Sequence, residues 1–248
     1  MWIGLLLLSV FSCASAEAGL VSVTALTVPA EVSQYSTVTL TAALAYEGTP
    51  QGTVEFAVKQ QGASAYTELG RQPVASAVTL SDAGSFSAVG AYTVRVRYLP
   101  ASGETDHSAG TVQYQTVNVR GARSSDELAT AMANGSGTRT LTLENDLTLM
   151  DAVQVNGSVT LTGGHILSRG SAEAGFTLSS GASLTVTDTV IDGKNLSSTK
   201  PLFALPSGGT LTLSEGARVA NVKSSANGGV AYAPVGGQLQ LSQTAMIE

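Results

Sequence analysis

From Val21 to Val119 the chain runs in short stretches in which β-branched or aromatic residues recur at every second position: Val21 to Val28, Thr37 to Tyr46, Thr53 to Val58, Val74 to Leu80, Ala91 to Tyr98 and Val112 to Val119. Period-two alternation buries one face of a strand and leaves the other wet, so each stretch is predicted as a half-buried strand. Turn-forming residues separate them, as in Tyr46-Glu47-Gly48-Thr49-Pro50, Ser81-Asp82-Ala83-Gly84 and Pro100-Ala101-Ser102-Gly103. About seven strands in about a hundred residues predict a two-sheet sandwich over residues 20–120.

The pattern then changes. Ser124-Ser125-Asp126-Glu127 supplies a capping residue and acids, and Leu128, Ala131 and Met132 fall on one helical face before Gly135-Ser136-Gly137. A short helix is predicted over about 124–133, placed to cover the open edge of the strands beyond it. From there to the C-terminus the sequence repeats: Phe176, Phe203 and Val230 are spaced by 27 residues, as are Leu178, Leu205 and Tyr232. Gly181, Gly209 and Gly237 mark a turn, each succeeded by an apolar alternating pair, Leu184/Val186, Leu211/Leu213 and Leu239/Leu241. Val190-Ile191, Val219 and Ile247 complete a third run, and Leu141/Leu143, Leu147/Leu149, Val153/Val155 and Val159/Leu161 are more N-terminal, degenerate copies. Repetition of three short strands per unit predicts coils stacked strand on strand, with like side chains in columns.

Two resemblances sharpen this. Gly52-Thr53-Val54-Glu55-Phe56, then Leu69-Gly70, Pro73-Val74 and Tyr92-Thr93-Val94-Arg95-Val96-Arg97-Tyr98 resemble, in that order, the immunoglobulin-like repeats of bacterial surface proteins. In that family Tyr92 would start a strand and hydrogen-bond back to the preceding corner. Residues 124–248 resemble the pectin-lyase-like repeats of large bacterial surface proteins, down to Gly208-Gly209-Thr210-Leu211-Thr212-Leu213 and Asn227-Gly228-Gly229-Val230. The resemblances imply an all-β chain: an Ig-like β-sandwich at 20–120, then a right-handed parallel β-helix at 121–248, incomplete at the C-terminus, with a short capping α-helix.

Residues 1–16 form an apolar run that ends Ala14-Ser15-Ala16, which reads as a signal peptide although no Lys or Arg precedes the run. The run from Ile3 to Ala16 is shorter than the ~20 residues a bilayer core requires, so no membrane span is expected in the mature chain. Cys13, the only cysteine, lies within this leader, which leaves the mature chain without disulfides, thiolate ligands or thiol catalysis. Val10-Phe11-Ser12-Cys13 echoes a lipobox, with a bulky Phe where a small residue is usual. The net charge of −6 gives no basic surface on which to gather phosphates, and nucleic acid is excluded as a partner.

Catalytic chemistry on such a scaffold requires converging carboxylates, or calcium with a basic residue. Asp188 and Asp192 flank Thr189-Val190-Ile191, but no matching acid appears one unit later, between Ala217 and Asn221. Asp82, Glu104, Asp106 and His107 are scattered loop groups, His165 is a turn residue, and Arg95 and Arg97 read as a solvent-facing row. Arg169, Arg218, Lys194, Lys200 and Lys223 read as dispersed solubilising charges. No catalytic, cofactor-binding or metal residue is therefore assigned, and no cofactor is expected. The expectation is a non-catalytic exported protein of the bacterial cell surface, an adhesin or structural stalk. Its partner would be a carbohydrate or a host or cell-surface protein, and further coils or another chain would cover the edge at Thr244 to Glu248. The alternative is a carbohydrate-active enzyme, of lyase or glycoside hydrolase type, whose catalytic coils are missing or unrecognised.

Overall fold

The computed structural model describes residues 18–225, 228–242 and 244–248; the leader, Cys13 and Asn227 lie outside the described residues. The chain is all-β, with one helix among the described residues. Nine strands come first: β1 (Gly19–Thr27), β2 (Glu31–Ser33), β3 (Thr37–Ala45), β4 (Gly52–Gln60), β5 (Thr67–Pro73), β6 (Ala77–Ala83), β7 (Gly90–Pro100), β8 (His107–Ala109) and β9 (Gln113–Arg120). They form two mixed sheets, ordered β6-β3-β1-β8 and β2-β9-β7-β4-β5. The alternation read from sequence decides what is buried: Val21, Val23, Leu40, Ala42, Val54, Phe56, Val94 and Val96 are sealed in one core. At the start of β7, the Tyr92 hydroxyl accepts a hydrogen bond from the Ala88 backbone N–H at 3.0 Å.

Three strands leave no mark in the alternating pattern. β2 and β8 are three residues each, and β5 (Thr-Glu-Leu-Gly-Arg-Gln-Pro) is a charged edge strand without alternation. The stretch expected to begin at Val74 becomes a strand only at Ala77, because the chain there leaves one sheet at Pro73 to enter the other.

Helix α1 (Ser125–Ala133) comes next, with Ser124 as N-cap accepting from the Glu127 N–H and with Leu128, Ala131 and Met132 buried. Its last turn holds no basic residue. Arg139 takes that role from outside: Nη1 and Nη2 donate to the Ala131 and Met132 carbonyls at 3.0 and 3.1 Å, and Nη2 also to the Asn156 carbonyl.

Besides a two-stranded parallel pair, Ser197–Ser198 with Lys223–Ser224, the rest of the chain climbs through three parallel sheets of four or five strands. One contains Thr138–Thr142, Ser158–Thr162, Ser183–Val186, Thr210–Leu213 and Gln238–Leu241. The second contains Leu147–Leu149, Ile166–Arg169, Val190–Asp192, Arg218–Ala220 and Met246–Ile247, and the third Ala152–Val155, Gly175–Leu178, Phe203–Ala204 and Ala231–Tyr232. Because the pairing is parallel, register stacks like on like: Leu141, Leu161, Val186, Leu213 and Leu241 form one column, and Leu147, Leu167, Ile191, Val219 and Ile247 another. The rings of Phe176 and Phe203 stack at 5.2 Å with 10° between planes.

Two details differ from the 27-residue spacing. The last coil is one residue longer, from Leu211 to Leu239, so Ala231 rather than Val230 pairs with Phe203, and Val230 packs half-buried beside the core. For the same reason Tyr232 lies opposite Ala204 and is exposed. The turn glycines with left-handed backbone are Gly181, Gly208 and Gly236, with φ of 72°, 72° and 71°; Gly209 and Gly237 only succeed them.

The two halves are joined without a free linker. Gln34 of the first half is buried and donates to the Thr140 carbonyl at 3.0 Å, while its Oε1 accepts from the Thr142 N–H at 2.9 Å. Around it Arg120 binds Glu31 and Glu127 at 2.8 and 2.6 Å, and Arg123 binds Glu31 and Glu144 at 2.9 and 2.7 Å.

Candidate functional site

Asp188 and Asp192 do not converge on a common space as an acid/base pair. Asp188 turns the chain with φ of 45°; its N–H donates to the Glu215 carbonyl and its carbonyl accepts from Gly164, so it links three successive coils. The Asp192 carboxylate accepts from the Lys194 N–H at 2.9 Å and from Asn221 Nδ2 at 3.0 Å, and it pairs with Lys194 Nζ at 3.0 Å. Burial works to raise the Asp192 carboxyl, but those three bonds together outweigh it and hold the group below its usual value. This is the electrostatics of a turn fastened to the next coil, where Asn221 itself has φ of 55°.

The other sequence candidates are also spent locally. Asp82 accepts from Ser85 N and Oγ. Glu104 accepts from the N–H groups of Gln51, Asp106 and His107, and the first two hold its carboxyl below the ordinary value. His107 Nε2 meets the Glu47 carbonyl at 2.8 Å, and His165 Nδ1 lies 3.3 Å from Asp146. Among the described residues no three His, Cys, Asp or Glu side chains group as metal ligands, and no helix is long and apolar enough to cross a membrane. Arg169 departs from its reading as a solubilising charge: it is buried, with Nε donating to the Ala174 carbonyl at 2.6 Å and Nη2 within 3.3 Å of the Lys200 carbonyl.

The most organised polar surface lies on the outer face of β5, β4, β7 and β9. Cross-strand register lines up Arg71, Glu55 and Arg97 in one row, and Glu68, Ala57, Arg95 and Tyr114 in the next. Glu55, with 6% of its side chain exposed, takes Arg97 Nε at 2.9 Å and Nη2 at 3.1 Å, and Arg95 Nη2 at 2.7 Å. Burial tends to raise the Glu55 carboxyl, but the two arginines more than offset it and hold the group below its usual range. Arg71 binds Glu68 at 2.7 Å. Beside this network the Tyr66 ring has Arg95 4.3 Å from its centroid and Lys59 at 5.0 Å, and it meets Tyr114 at 6.5 Å. Reading Arg95 and Arg97 as a plain solvent row misses this cluster. The signal that could have found it is Glu55, a lone acid at an outward position of a strand adjacent to two arginines.

No protein-family model and no curated protein sequence matches this chain.

Proposed function

We propose that this chain is a non-catalytic, exported bacterial surface protein that acts as an adhesin or structural stalk. In this reading residues 20–120 are an immunoglobulin-like β-sandwich, residues 121–248 a right-handed parallel β-helix capped by α1, and residues 1–16 a signal peptide. Two mixed sheets around one core, with the Tyr92 hydroxyl bonded back to Ala88, support the first assignment. Three parallel sheets repeated coil upon coil support the second.

The observation that carries the stalk reading is the joint. A binding module is held at a fixed distance and angle only if its connection resists bending, and a buried Gln34 bridge within a network of two arginines and three glutamates supplies that resistance. The non-catalytic reading draws on the carboxylates of the coils, whose Asp188 and Asp192 build turns. Depolymerisation assays on pectins and other glycans test it, with Asp188→Asn and Asp192→Asn alongside the native chain. The proposal predicts no cleavage by any of the three; cleavage by the native chain that either substitution abolishes would establish the enzyme reading instead.

A further inference from the structure

The chain carries 12 Lys and Arg against 18 Asp and Glu, yet the outer face of β5-β4-β7-β9 reverses that balance. There Lys59, Arg71, Arg95 and Arg97 surround only Glu55 and Glu68. We propose that this face is a binding site for a uronate-bearing polysaccharide, with sugar rings on Tyr66 and Tyr114 and carboxylates on Arg71, Arg97 and Lys59. The inference rests on the adhesive reading and gives its ligand a chemical class.

Each part of the cluster has a distinct task in this arrangement. Glu55 is almost fully covered and fixes Arg97 by a two-bond fork and Arg95 by a single bond, so these guanidinium groups are already ordered before a ligand arrives. Arg95 is the more covered of the two, and its guanidinium lies against the Tyr66 ring, which helps to order that ring. Arg97 and Arg71 keep 38% and 49% of their side chains in solvent, and Lys59 makes no ion pair among the described residues. These three are the cations available to an incoming carboxylate, and a guanidinium fork suits that group's planar geometry.

The aromatic component favours a sugar chain over an acidic peptide. Tyr114 is 57% exposed, and its ring lies 6.5 Å from that of Tyr66 at 50°. Packed against each other, the two rings present one apolar surface, with Tyr114 its exposed part, on which axial C–H groups can pack while equatorial carboxylates reach the flanking cations. A purely electrostatic patch would need no such rings.

The test uses the full chain, with polygalacturonate and alginate as probes in calorimetric titrations at low and high salt. Carboxyl-reduced polygalacturonate and poly-glutamate serve as comparisons. Tyr114→Ala and Arg71→Gln leave the short Glu55 bonds to Arg95 and Arg97 in place, Arg71 standing 3.9 Å from Glu55, and circular dichroism checks that both keep the fold. The site predicts salt-sensitive binding to at least one polyuronate, about tenfold weakened by each substitution, with the reduced polymer and poly-glutamate about tenfold weaker on the native chain. Failure to bind either polyuronate at low salt overturns it, as does equal binding of poly-glutamate, which would make the face a general acidic-peptide contact. Polyuronate binding that neither substitution changes would remove this face while leaving the adhesive reading intact, and polyuronate cleavage would remove the non-catalytic reading instead.

Discussion

Glu55 and Glu127 show what one carboxylate does in this chain when it meets more than one donor. Replacing Glu55 by Gln would leave Arg95 and Arg97 facing each other over a covered position, and an unfolding free energy lower by about 2 kcal/mol is expected in urea titrations. Glu127 makes a two-bond fork with Arg120 that pulls its carboxyl down to about 2. A carboxylate with a lowered folded value adds stability that is present above its unfolded value, near 4.5, and is lost as pH falls toward 2. The native chain should therefore exceed Glu127→Gln in stability by about 1–2 kcal/mol at neutral pH, with the gap closing by pH 2. A gap that persists unchanged at the acid end would mean that the Arg120 fork does not form. Tyr92→Phe removes a single buried acceptor for the Ala88 N–H and should cost about 1 kcal/mol in the same titration.

At the scale of elements, stability resides in columns rather than in single strands. Phe176→Ala empties one level of a stacked aromatic column between fully buried neighbours, so a loss of about 3–5 kcal/mol is expected from thermal or denaturant unfolding. The columns are legible in the sequence because parallel pairing copies sequence period directly into space: Leu184 over Leu211 and Ile191 over Val219 result from spacing alone. The single-residue slip at Val230 and Ala231 is legible in the apolar pairs, where Leu184 to Leu211 spans 27 residues and Leu211 to Leu239 spans 28, and it is missed only when the period is taken from Phe176, Phe203 and Val230. Helix α1 is visible from its cap and face, but its C-terminal partner Arg139 is not. A charged residue at an inward strand position reads as an interruption until the helix end it serves is placed beside it. The tyrosine and arginine face is equally hidden, because its members come from β4, β5, β7, β9 and the approach to β5, and only register brings them together.

For the molecule as a whole, the proposed stalk requires stiffness at the joint and along the coils. The first half reaches the second through Gln34, Arg120 and Arg123, and α1 closes the start of the coil stack with Leu128 and Met132 in its core. Gln34→Ala combined with Arg120→Ala should loosen the joint. Limited proteolysis would then cut faster between residues 120 and 124, while the core of each half stays protected.

The proposed stalk depends on successive coils lying in register, one directly above the other. The chain has only five phenylalanines, so selective labelling makes the contact between Phe176 and Phe203 directly observable by nuclear Overhauser spectroscopy. Rings 5.2 Å apart must give a strong ring-to-ring cross-peak, which Phe203→Leu abolishes. A folded chain in which no such cross-peak appears would contradict the stacked coils and the proposal that they form a stalk.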